Sequence, residues 1–172
     1  GLNEEEIYQN ALAKLKTFVE IYGDRFYGEL QWNSVPEQHV VNKMVIRASK
    51  EIGIKIISTA DSHYPTQDAW RDREMYKRLG WLSRGTPSWL TEDDMKMPES
   101  VDDIGYELYP KNGQQMWESY KKYSAECGVE YDDDIVRDSI TLTHWIAHEQ
   151  VEDFEVDTTI QLPDFVVPEG QK

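Results

Sequence analysis

Apolar residues recur over the first twenty positions at helical spacing, with Ile7, Ala11, Leu12, Leu15, Phe18 and Val19 on one stripe. Asn3 is placed to cap this helix, Glu4, Glu5 and Glu6 favour its positive end, and Gly23 stops it. The period then drops to two. Phe26, Gly28, Leu30 and Trp32 share one face and Tyr27, Glu29 and Gln31 the other, which predicts a strand from Arg25 to Trp32. Ser34 and Glu37 read as a capping box, with Pro36 in the first turn of a second helix. Val40, Val41, Met44, Val45, Ala48 and Ile52 line that helix and Gly53 ends it. Ile54 to Thr59 is β-branched and nearly continuously apolar, as expected of a central strand in a parallel sheet covered on both faces.

After Tyr64 the pattern changes. Gln67 to Leu82 reads as helical, and Arg84 to Tyr109 mixes Pro, Gly, Trp and acids without periodicity. Asn112 is placed to cap a helix that runs to about Cys127, with Gly128 as its stop. Asp132, Asp133 and Asp134 open a last helix with Ile135, Ile140, Leu142, Trp145 and Ile146 as apolar positions. Pro163 and Pro168 make the tail extended. The chain thus divides into an α/β unit over 1–65, a mainly helical region over 66–157 and an extended connection over 158–172. Helix, strand, helix, strand is the α/β order with right-handed crossovers.

The formal net charge is −15, so this surface repels phosphates and should not grip duplex DNA by charge neutralisation. No apolar run approaches the roughly 20 residues needed to span a bilayer. One cysteine, Cys127, rules out an intramolecular disulfide and fits a packed thiol in a reducing cytoplasm. Glu92-Asp93-Asp94 and Asp132-Asp133-Asp134 lack the alternating ligands and central Gly of a calcium loop and read as helix starts.

Candidate chemistry lies in Asp61-Ser62-His63, directly after the second strand. Loops at the carboxyl ends of parallel strands collect ligands, and a carboxylate and an imidazole two residues apart can turn toward one metal ion. On local spacing alone the plainer reading is stronger: Asp61 caps the next turn and His63 packs or meets solvent. His144 and His148 stand four apart on one helix, a spacing that suits zinc, but no H-E-x-x-H surrounds them. They read as solvated or packed.

Residues 23–31 (GDRFYGELQ) resemble the GDRFYLELQ element of bacterial DNA polymerase III alpha subunits. Residues 56–64 (IISTADSHY) are similar to that family's ATNDVHY element, the last metal-binding motif of its PHP domain. Between them, Val41-Asn42 and Glu51-Ile52-Gly53-Ile54 match its "VN…LARELGLP" helix, and residues 162–170 (LPDFVVPEG) resemble the LPXFPVPEG that closes the PHP region. The resemblance implies the C-terminal half of a PHP domain, a partial (β/α) barrel of helix-strand-helix-strand followed by a mainly helical region, in a divergent version such as a phage's. It carries to Asp61 and His63 the roles of metal ligands and catalytic residues, with zinc or manganese as the divalent cofactor. In the intact parent they would serve 3′–5′ exonuclease or phosphoesterase chemistry, while this chain alone is expected to be inactive. Glu29 matches the acid of the LELQ strand, with a place near the metal cluster and a role in strand pairing or domain contacts both open. The family's amino-terminal H-x-H and further histidine motifs have no counterpart, so the chain reads as starting mid-domain.

Two other readings stand beside this one. One is a non-catalytic scaffold for the polymerase; the other is a free-standing PHP phosphoesterase. The expected partners are the remainder of the polymerase chain and, through it, DNA, with no membrane. An open sheet edge also leads to three expectations for the isolated chain: a homodimer, pairing with the missing half, or replacement of the lost strands by the helical region.

Overall fold

The structure, a computed structural model, describes residues 3–85 and 88–159. The 162–170 stretch, and all but the first two residues of the 158–172 connection, lie outside them. The order is α1 (Glu4–Tyr22), β1 (Tyr27–Gln31), α2 (Pro36–Ile52), β2 (Lys55–Thr59), α3 (Trp70–Arg84), α4 (Gly113–Glu126) and α5 (Asp133–Trp145). Among the described residues the sheet has two parallel strands, with Gly28 opposite Ile56 and Leu30 opposite Ser58. The mixed α/β character expected from the periodicity is present. No helix among the described residues is long and apolar enough to cross a membrane.

Side-chain direction fixes how the helices meet this sheet. Gly28, Leu30, Ile56 and Ser58 point to one buried face, and α2, α4 and α5 cover it. Leu30, Trp32 and Ile56 share a core with Met116, Tyr120 and Tyr123 of α4 and Val136 of α5. The opposite face, with Tyr27, Glu29, Gln31, Ile57 and Thr59, is half-buried to exposed. Among the described residues the second strand is therefore covered on one face, not two as its apolar run suggested: helices lie over Ile56, while Ile57 on the other face is only half-buried.

The helix registers also differ from the apolar pattern. In α1 the inward stripe is Tyr8, Leu12, Leu15 and Val19, while Ile7 and Phe18 are exposed. Tyr8 goes inward because its hydroxyl donates to Glu51 at 2.8 Å and Arg47 lies over its ring. In α2 Val40 and Val41 are exposed, whereas His39, Asn42 and Ala48 are buried. Ser34 does not cap α2. Its N–H and hydroxyl both donate to the Gly105 carbonyl, at 2.7 and 3.0 Å. Glu92-Asp93-Asp94 starts no helix either; it lies in a turn closed by Asp94, which accepts from the Thr91 N–H and hydroxyl. The caps expected at Asn3 and Asn112 are present, and the helix expected to open at Asp132–Asp134 does so, with Asp132 as its cap.

Candidate functional site

Asp61, Ser62 and His63 leave the carboxyl end of β2 as the sequence placed them. Asp61 has φ 46°, the one non-glycine residue of positive φ among those described. This left-handed turn folds the loop back, so that Asp61 Oδ2 and His63 Nε2 stand 3.3 Å apart. Both side chains are about half exposed. The loop is held from behind by Leu108, whose carbonyl accepts from the N–H groups of His63 and Tyr64 at 2.8 and 3.2 Å. The Leu108 N–H donates to the Tyr64 hydroxyl at 2.8 Å, and the Tyr64 ring stacks on Tyr109. Residues 105–109 therefore touch the loops after both strands, at Ser34 and at His63–Tyr64. Gly105 is required there, because its φ is 77° and a Cβ would collide with Ser34 Oγ.

Two donors 3.3 Å apart suit one metal ion. Bonds of about 2.1 Å at a tetrahedral angle place the donor atoms about 3.4 Å apart. Yet among the described residues no group of three His, Cys, Asp or Glu side chains comes together as a metal site. Asp61 and His63 fit part of a centre, short of the three or four protein ligands that zinc usually takes.

Glu29 does not join them. Its carboxylate accepts from Thr59 across the strands and from Gln31 at 3.1 Å, a cross-strand pairing. His39 is buried between Tyr131 and the Asn33 carbonyl. His144 and His148 are exposed with ring centres 4.1 Å apart, the second on a π-helical turn after α5, Ile146–Gln150.

Sequence reasoning missed what lies around the pair. A cleft of about 710 Å³ opens beside it between β2, the start of α4 and α5, with Thr59, Ser62, Lys111, Met116 and His144 among its walls. Periodicity carries no signal for such a cleft. The one hint was the aperiodic stretch before Asn112, which forms the clamp on the strand-end loops.

No family model matches the chain. Curated relatives do. The DNA polymerase III subunit alpha of Aquifex aeolicus is 46% identical over 50 residues, 29% of this chain and 4% of that protein. That of Campylobacter jejuni is 28% identical over 113 residues, 66% of this chain and 9% of its own length. The Thermus aquaticus protein of the same name is 34% identical over 65 residues, covering 38% of this chain and 5% of the relative. The chain is a relative of the DNA polymerase III alpha subunits. It spans less than a tenth of the length of these polymerase relatives. Two of the elements on which the resemblance was read meet in the structure: the Asn42 amide binds both the N–H and the carbonyl of Gln31, at 3.3 and 2.8 Å.

Proposed function

We propose that this chain acts as the C-terminal part of a PHP-type barrel in a replicative DNA polymerase. In that reading Asp61 and His63 supply two ligands of a divalent metal centre, and residues outside this chain complete it. The observation that carries the reading is the 3.3 Å approach of Asp61 Oδ2 to His63 Nε2 at the carboxyl end of a parallel strand. Kinship with polymerase III alpha subunits supports the polymerase branch over a free-standing phosphoesterase. Zinc or manganese bound there would polarise a phosphoryl oxygen and lower the pKa of a bound water. The chain's own residues orient the donors: the Asp61 turn folds the loop back, and Leu108 fixes the His63 and Tyr64 backbone. DNA would reach the site through the parent polymerase, since a net charge of −15 gives this chain no general phosphate grip.

A second reading, a scaffold without chemistry, is favoured by residues 105–109, which fasten both strand-end loops together. A Mn²⁺ titration followed by paramagnetic broadening separates the two. Site binding broadens the amides of residues 60–64 first, and the Asp61→Asn, His63→Ala double variant loses that effect. Broadening spread evenly over the acidic surface, unchanged in the variant, would remove the metal reading and leave the scaffold.

A further inference from the structure

A groove of about 490 Å³ runs between α2 and α5 at the amino end of β2, opposite to the strand end that carries Asp61 and His63. Its floor is apolar: Ile46 of α2, Ile54 and Ile56 at the start of β2, and Ile135 and Leu142 of α5. Its two serines are already engaged, Ser49 with the Ile54 carbonyl and Ser139 with the Val136 carbonyl, both at 2.7 Å. The rim is charged. Lys50 and Lys55 make no hydrogen bond or ion pair among the described residues, and Lys55 Nζ stands 5.1 Å from the Trp145 ring centre. Asp138 is the one carboxylate in the lining and also lacks a partner among the described residues. The rim is thus locally positive in a chain of net charge −15.

The matching chemistry leaves the end of α5. After the π-helical turn Ile146–Gln150, residues 151–159 form neither helix nor strand and are all exposed. Val151, Phe154 and Val156 are 59%, 79% and 70% exposed, and Phe154 is the most exposed large apolar side chain among the described residues. Around them stand Glu149, Glu152, Asp153, Glu155 and Asp157, with no Lys or Arg from 149 to 159. Such a segment is soluble when free yet has apolar side chains to bury, and the groove offers an apolar floor beneath two uncompensated ammonium groups.

We propose that residues 151–157 dock in the groove of their own chain, with Phe154 on its apolar floor and the flanking acids Asp153 and Glu155 against Lys50 and Lys55. The reach suffices. A rise of about 1.5 Å per residue carries the helix about 12 Å over residues 142–150. Extended chain over residues 151–156 then covers about 20 Å on the way back. Asp138 repels the acids from the α5 wall, which seats them on the side of α2 and β2. Acids elsewhere on the surface are screened beyond about 8 Å at physiological salt and do not oppose contact inside the groove. The occupant is the chain's own segment because attachment holds it near the groove at an effective concentration on the order of millimolar. The structure shows the open arrangement; docking is the second of two, favoured by apolar burial and opposed by the ordering of the segment. The inference rests on neither the metal nor the polymerase reading.

The test is nuclear Overhauser spectroscopy on the full chain with labelled Ile and Leu methyls. Contacts are expected from the Phe154 ring to the methyls of Ile54, Ile135 and Leu142, at intensities unchanged by tenfold dilution. Phe154→Ala should remove them and shift the amides of residues 50–56 and 135–142, leaving those of 59–64 in place. A Lys50→Gln, Lys55→Gln double variant should weaken the contacts about threefold, the effect of losing two exposed ion pairs, and Lys50→Arg, Lys55→Arg should keep them. Phe154 is exposed in the open arrangement, so its variant reports docking rather than folding. Contacts that fade on dilution would give the groove to the tail of a second copy and overturn the proposal. So would the absence of contacts, contacts centred on other residues, or full contacts in the Gln double variant.

Discussion

Glu74 is 2% exposed in the middle of a helix, and a carboxylate that deep persists only with partners. It has three. Arg73, Lys77 and Arg78 approach its oxygens at 2.7, 3.0 and 2.8 Å, and Arg78 continues to the carbonyls of Met95 and Lys96. Burial pushes the Glu74 pKa up, but hydrogen bonds from Arg78 and Lys77 outweigh it and leave the carboxyl below its ordinary 4.5. The folded value thus lies below the unfolded one, so Glu74 stabilises the fold above pH 4.5 and that contribution fades as pH falls through the folded value. Glu74→Gln should cost about 3 kcal/mol at pH 7 in urea unfolding, because it leaves three cations around a neutral group. The difference from wild type should shrink toward pH 3. An equal cost at both pH values would show that shape, not charge, holds this corner. None of this was legible in the sequence, where apolar residues mark the inward face of a helix. Here Met75, Tyr76, Leu79 and Leu82 are exposed and the acid is inside. The D-x-H pair was legible, because a short β-branched run ending in a polar triplet marks a strand end whatever covers the strand.

At the scale of elements, capping and strand alternation were readable because they are local. Asn3 with Glu6, and Asn112 with Gln115, close their helices through side chains three residues apart. The face each helix buries was not readable, since it depends on partners far along the chain. Val41 looks like core and Asn42 like surface, yet Asn42 is fully buried because Gln31 needs its amide. Gly28, where the resembling element has Leu, sits so close to α2 that a Cβ would lie 2.7 Å from Val45 Cγ1. A buried hydrogen-bond chain joins β1, β2 and α5. Trp32 Nε1 donates to Ser58 Oγ at 3.1 Å, Ser58 and Ser139 share a 2.7 Å bond, and Ser139 donates to the Val136 carbonyl at 2.7 Å. With Ser139 donating onward, Ser58 is the donor between the two serines. Ser58→Ala should therefore cost about 2 kcal/mol, mostly from a Trp32 N–H left without a partner in the core. Ser58→Thr keeps the hydroxyl and should recover part of that. Trp32 fluorescence during denaturation reports both, and a Ser58→Ala variant as stable as wild type would show that the indole has found another acceptor.

For the molecule as a whole, the sequence divides at residue 65 where the core does not. Periodicity changes there, so the chain reads as an α/β unit with a helical appendage. In space Leu30, Trp32 and Ile56 are buried against Met116, Tyr120, Tyr123 and Val136, residues at least 60 positions further on. Two parallel strands with helices on one face are too little to stand alone, because an isolated strand pair is marginal and a chain of about 60 residues buries too small a share of its surface. Among the described residues the helical region packs on one face of the sheet and adds no strand to it. The resulting expectation is that residues 1–65 expressed alone do not fold, while the full chain melts in one transition. Near-UV circular dichroism of the 1–65 fragment should lack the Trp32 signal that packing on Tyr120, 4.8 Å between ring centres, gives the full chain. A fragment that melts cooperatively would place the stabilising contacts within α1, α2 and the strands and make α4 and α5 dispensable. In that event the Asp61–His63 loop would also have to keep its shape without Leu108, whose backbone holds it from the far side of the boundary at residue 65.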